Sequence, residues 1–169
     1  AFQPELAPAG SSELAHTFGA KDINDLSWKN LLDAFSCTEC GRCSDACPAN
    51  QTGKLLSPRK IMMSTRDRAE EVGKKIEEKI DWKAEEKSLL YDYIAEEELR
   101  ACTTCNACVE GCPVSINPLD IIVQLRRYLI MEKSSSPQEW TSMFGNIENN
   151  FAPWKFSPDQ RIDWTKESI

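Results

Sequence analysis

The chain has 169 residues, with 27 acidic and 20 basic side chains, a net charge of −7 and 41% hydrophobic content. That is the size and make-up of one globular domain. The acidic balance argues against nucleic-acid binding, which needs a basic face. With no apolar run of about 18 residues, no membrane span is expected.

In chain order, residues 1–24 read as a flexible lead-in or linker, rich in Pro, Ala and Ser, with His16 as a solvated side chain. "DLSWKNLLDAFSC" reads as a short helix that delivers Cys37. Ser27 is its N-cap, and Leu31, Leu32 and Phe35 form its apolar face. After the first cysteine run, Ser57-Pro58 is a helix start with Ser as cap and Pro at the first helical position. Ile61, Thr65, Ala69, Val72, Ile76 and Ile80 follow on one face of a long helix, with Gly73 as its weak point. A second helix is expected over "AEEKSLLYDYI", with Leu89, Leu90, Tyr93 and Ile94 inward, and "EEELRAC" as a short turn that delivers Cys102. Asn117-Pro118 repeats the start signal, and Leu119, Ile122, Val123, Leu125 and Leu129 supply a buried stripe. The tail from Gln138 has little periodicity. It is expected to wrap over the surface in loops, anchored by Trp140, Trp154 and Trp164. No strand is expected. The domain limits are therefore residues 1–24, 25–135 and 136–169, the last being a wrapping segment of the same domain.

All eight cysteines fall in two tight runs. A disulfide framework spreads cysteines to staple distant segments, so clustering points to a metal cofactor and a reducing compartment. Cys37, Cys40, Cys43 and Cys47 recur as Cys102, Cys105, Cys108 and Cys112, each 65 residues later, and Pro48 recurs as Pro113. The chain is thus two copies of a helix–cysteine loop–helix unit. The run C-x2-C-x2-C-x3-C-P has the spacing of bacterial-type iron–sulfur ligation. Two-residue spacers let one loop aim three thiolates at three corners of a cubane. The fourth cysteine, just before a proline, points to the neighbouring cluster. One [4Fe–4S] cluster is therefore expected on Cys37, Cys40, Cys43 and Cys112. The other is expected on Cys102, Cys105, Cys108 and Cys47.

A zinc ribbon needs two C-x2-C pairs and neither the third cysteine nor the proline. Plant-type C-x4-C-x2-C spacing is absent, which disfavours [2Fe–2S] centres, and the lack of histidine in either run excludes a Rieske centre. Between Arg66 and Arg100, eight basic and twelve acidic residues read as a solvated helix surface. Lys54 and Arg59 near the first run, and Arg126 and Arg127 after the second, could offset cluster charge or simply be surface residues. No acid–base pair or nucleophile stands out, so no catalytic site of its own is expected.

"CTECGRCSDACPANQTGKLLSP" and "ACTTCNACVEGCPVSINPLDII" resemble the ferredoxin part of the heterodisulfide-reductase-related iron–sulfur proteins. The same helical unit occurs in the iron–sulfur subunits of glycolate oxidase, anaerobic glycerol-3-phosphate dehydrogenase and succinate dehydrogenase. The resemblance spans roughly residues 25–165, including "NIENNFAPW". It implies a mainly α, α-helical ferredoxin fold around two [4Fe–4S] clusters. The implied function is an electron-transfer module between a flavoprotein or membrane haem/quinone subunit and a CCG-domain oxidoreductase subunit. The CCG domain of the family is absent from this sequence, so catalysis would need another subunit. The implied location is cytoplasmic, with membrane association through a preceding N-terminal portion. An iron–sulfur redox or iron sensor, and a structural zinc-binding interaction domain, are the alternatives.

Overall fold

A computed structural model describes residues 18–166. His16 lies outside them. The chain divides into two compact units, one running to Glu132 and the other from Lys133. The described residues are mainly helical and form no strand, only an isolated bridge between Leu90 and Ile94.

The helices of the first unit are α1 (Trp28–Ser36), α2 (Arg42–Asp45), α3 (Pro48–Gln51), α4 (Pro58–Glu77), α5 (Glu96–Ala101), α6 (Ala107–Glu110) and α7 (Pro118–Arg127). Both predicted proline starts are present. Ser57 Oγ accepts from Lys60 N, and Asn117 Oδ1 accepts from Asp120 N, each with proline in the first turn. α4 is the central helix and packs against α1 and α7. Its Ile61, Met62, Thr65 and Val72 are buried with Leu99 of α5 and Ile121, Ile122 and Leu125 of α7. Each large apolar side chain so buried contributes about 1.5–3 kcal/mol. The inward stripe of α4 stops at Val72: Ile76 and Ile80, at and beyond the helix end at Glu77, are about half exposed.

α1 forms with the expected Ser27 cap, in a reciprocal pair with Asn30. Its buried residues, however, are Asn30 and Ala34; of the expected apolar face Leu31 packs partly buried against the core, while Leu32 and Phe35, with Trp28, are exposed. Asn30 Nδ2 donates to Asp120 Oδ2 of α7 at 2.7 Å, and the small Ala34 permits close approach. A polar tie, rather than the apolar count, sets the orientation of α1.

The helix expected over residues 84–94 is absent. A single 3-10 turn, Trp82–Ala84, is followed by a loop in which Leu90 is extended and Tyr91 has φ of 83°. Leu89, Leu90 and Ile94 are still buried. The backbone is diverted by side chains that compete for its polar groups. Ser88 Oγ donates to Leu90 O, Ser88 N donates to Asp92 Oδ2, and Leu89 N donates to Asp22 Oδ1. Leu90 N donates to Lys21 O, so the loop is also pinned by the segment just before α1.

That segment lies within the span expected as lead-in, yet Ala20 and Ile23 are buried. Asp22 holds Arg68 of α4, whose side chain is 0% exposed, through Nη2 at 2.7 Å and Nε. Arg68 Nη2 also donates to Lys87 O at 2.7 Å. One buried guanidinium thus joins three chain segments. Gly19, at φ of 82°, lies so close to α7 that a Cβ would come within 2.4 Å of Gln124 O and Tyr128 N.

In the second unit, α8 (Gln138–Asn150) forms where loops were expected. Trp140, Phe144, Ile147 and Phe151 recur at helical spacing. With Met143 they make an i, i+3, i+4, i+7 pattern that is legible in the sequence, although Gly145 and the Asn-rich end are poor helix formers and weaken it. Trp140, Trp154 and Trp164 are all exposed.

Two substitutions test this frame. Asp22→Ala removes the hydrogen-bonded carboxylate of buried Arg68 and leaves only Glu71, at 3.6 Å, so it should cost about 3–5 kcal/mol in anaerobic denaturant unfolding of the iron-loaded protein. Gly19→Ala combines a disfavoured φ with backbone overlap. It should lose roughly 1–3 kcal/mol or more, read as a lowered unfolding midpoint.

Candidate metal centre

The two cysteine loops are built alike down to their backbone dihedrals. α1 and α5 end on Cys37 and Cys102 as extended C-caps, at φ −65°, ψ 121° and φ −72°, ψ 127°. Two residues on, Glu39 and Thr104 have φ of 57° and 56°. Two further on, Gly41 and Asn106 have φ of 84° and 64°. Alternate left-handed residues curl each loop tightly. Glycine and asparagine accept that conformation readily, whereas Glu39 and Thr104 hold it at a cost. α2 and α6 then carry Cys43 and Cys108, and Cys47 and Cys112 follow, each before a proline.

The fold brings these thiols together around two spaces. The first, of about 340 Å³, is lined by Cys37, Cys40, Cys43 and Cys112. The second, of about 320 Å³, is lined by Cys47, Cys102, Cys105 and Cys108. Each therefore gathers three thiols from one run and the fourth from the other. All eight are free thiols. A single zinc ion would draw four sulfurs to about 2.3 Å of one point. Four thiols lining each space is an arrangement that suits a multi-atom cluster.

Burial differs between the sulfurs. Cys47 and Cys108 are buried, Cys40 and Cys105 are exposed, and the other four are half-buried. Burial pushes the Cys108 thiol up to about 11 and raises that of Cys43, whereas the backbone N–H of Arg42 lowers that of Cys40. Ligation requires thiolates, so bound metal must overcome this desolvation. Backbone amides already face other sulfurs besides that of Cys40. Thr104 N donates to Cys102 Sγ and Ile116 N to Cys112 Sγ, both at 3.4 Å.

The supporting shell was largely invisible in the sequence. Counted from the helix starts Pro58 and Pro118, the two helices correspond residue for residue at an offset of 60. Met62 of α4 lines the first space and its counterpart Ile122 of α7 the second. Arg66 pairs with Glu39 of the first loop. Its counterpart Arg126 donates to Leu99 O, through Nε at 2.8 Å, and to Cys102 O, clamping the entry to the second loop. Of the four cations flagged from sequence, Arg59 lines the first space, Arg126 is this clamp, and Lys54 is exposed. Arg127 is half-buried. In the sequence Arg126 stands out only as a cation that follows the second run; its place in a helix that restarts the repeat is the further signal that matches it to Arg66.

Residues 33–116 match the family model of the 4Fe-4S dicluster domain. The chain is a two-cluster iron–sulfur protein of the ferredoxin-like, heterodisulfide-reductase-related kind, and its cofactors are two [4Fe–4S] clusters. It is 37% identical over 174 residues to an EtfAB:quinone oxidoreductase of Syntrophomonas wolfei, across 92% of this chain and 24% of that protein. It is 32% identical over 165 residues to a probable membrane-anchored ferredoxin of Chromohalobacter salexigens, across 88% of this chain and 24% of the other. It is 32% identical over 107 residues to one subunit of the ferredoxin/F(420)H(2)-dependent CoB-CoM heterodisulfide reductase of Methanosarcina acetivorans, across 63% of this chain and 53% of that polypeptide. The chain thus spans about a quarter of the length of the first two. These relatives place it among iron–sulfur electron-transfer proteins related to oxidoreductases.

Anaerobically purified protein should contain about eight irons per chain and absorb broadly near 400 nm. Stripping the iron with a chelator after oxidation should abolish cooperative unfolding, because metal-binding energy is folding energy in such a fold. Calorimetry of the stripped and loaded protein measures the difference.

Proposed function

We propose that this chain is an electron-transfer module whose two [4Fe–4S] clusters are held in a crossed manner. Cys37, Cys40, Cys43 and Cys112 hold one, and Cys102, Cys105, Cys108 and Cys47 hold the other. The single observation that carries this reading is the convergence of four thiols, three local and one distant, on each of two spaces.

The clusters supply one-electron chemistry without proton bookkeeping at a substrate. The chain's residues do the rest. Eight cysteine thiolates would supply one ligand to each of the eight irons of two [4Fe–4S] clusters, so no iron would be left open to substrate and transfer would be outer-sphere. The left-handed loops turn amides toward sulfur, and α4 and α7 cover the inner side of each site. The exposed Cys40 and Cys105 mark where each site meets solvent and hence a partner.

The reading continues to the partners. Electrons pass between a flavoprotein or a membrane quinone/haem subunit and a CCG-type oxidoreductase subunit. Support comes from relatives whose names include a quinone oxidoreductase, a membrane-anchored ferredoxin and a heterodisulfide reductase subunit. Among the described residues no helix is long and apolar enough to cross a membrane. Association with the cytoplasmic face of a membrane would therefore come through another portion or subunit.

The ligand assignment is tested by cysteine substitutions read by electron paramagnetic resonance. Cys47→Ser and Cys105→Ser should lose the same cluster and leave the same residual signal, with about four irons retained. Cys112→Ser and Cys40→Ser should leave the other signal. If Cys47→Ser instead matches Cys40→Ser, the crossed assignment is overturned.

A further inference from the structure

The two sites are copies, so residues that differ at equivalent positions are the ones that can make the sites differ. Leu56 and Pro58 line the second space, and their counterparts at an offset of 60, Ile116 and Pro118, line the first. At the next position the copies part. Arg59 lines the first space, and its counterpart Leu119 lines the second.

The other nearby charges do not cancel this contrast. Glu39 also lines the first space, but Arg66 pairs with it. Arg42, beside Cys43, is exposed, and its copy is Ala107. At the second site Arg126 keeps its charge, since its partners Leu99 O and Cys102 O are neutral, but it holds the loop from outside and does not line the space as Arg59 lines the first. Among the described residues no carboxylate pairs with Arg59. Burial runs the same way. Cys47 and Cys108 of the second site are buried, and no cysteine of the first site is.

Taking up an electron adds negative charge to a thiolate-bound cluster. A neighbouring cation and access to water favour that charge, while apolar burial opposes it. We propose that Arg59 sets the two sites apart in reduction potential and holds the cluster at Cys37, Cys40, Cys43 and Cys112 at the higher one. A single electron entering the chain from an added reductant then resides at that site. This inference rests on the crossed ligation proposed above.

The experiment is an anaerobic redox titration of the iron-loaded chain with dithionite, followed by electron paramagnetic resonance. Wild-type protein should show two separated midpoints. Arg59→Leu, which installs the residue of the other copy, should lower the higher midpoint alone. The expected shift is about threefold to tenfold in the one-electron equilibrium, tenfold being about 59 mV. Arg59→Lys should keep the wild-type midpoint, and the Leu variant's shift should shrink at high salt, because the charge is exposed. Arg59 is on the surface, so all variants should retain about eight irons. A single shared midpoint in the wild type, an equal shift of both, or a shift of the lower midpoint would overturn the proposal. With eight irons retained, that failure leaves the ligand assignment standing, because the assignment is decided by the cysteine variants.

Discussion

The first unit is organised by one geometric demand: thiols from two loops 65 residues apart must meet around two small spaces. Neither loop can surround a space alone, because three cysteines on a tight curl all approach from one side. The fourth has to arrive from another segment. The short helices α2 and α6 therefore lie side by side. Gly111 comes so near Ala46 that an added Cβ would sit 3.4 Å from it. Around that contact the two helices that follow the cysteine runs, α4 and α7, line both sites and pack at the centre of the core.

This demand is met at a cost that the rest of the chain offsets. Glu39 and Thr104 adopt left-handed backbone, which costs of order 1–3 kcal/mol each. Cys43 and Cys108 are held where burial resists their ionisation. The core is a modest stripe of aliphatic side chains, so ionic and polar ties contribute: Arg68 with Asp22, Lys60 with Glu98, Asn30 with Asp120. Glu71 joins Lys75, Lys87 and Tyr93 at the edge of α4, and the two lysines hold its carboxyl below the usual carboxylate range. Metal binding supplies the remaining cohesion.

An exact repeat would make two equivalent stations. This repeat is close in backbone and divergent in side chains, and divergence at Arg59 and Leu119 offers a direction to electron flow without any change of fold. The unit accounts for about a quarter of the length of the two longer relatives.

The cysteine spacing, the repeat and the proline helix starts were legible in the sequence because each is a local signal. Thiolate geometry needs fixed spacers, and a proline-led helix announces itself by its first residue. Cofactor and helical class follow from them. The orientation of α1, the loop at Leu89–Tyr93, the packed segment around Asp22 and the clamp by Arg126 were decided only in the tertiary structure. Each depends on a partner far along the chain: Asp120 for Asn30, Lys21 and Asp22 for the loop, Arg68 for Asp22, and Cys102 O for Arg126. Hydrophobic periodicity cannot see such partners. A polar group that must be satisfied once buried outweighs the preference of a few apolar side chains. The sequence by itself therefore determined what the chain binds, and the fold decided how the residues around the two sites are held.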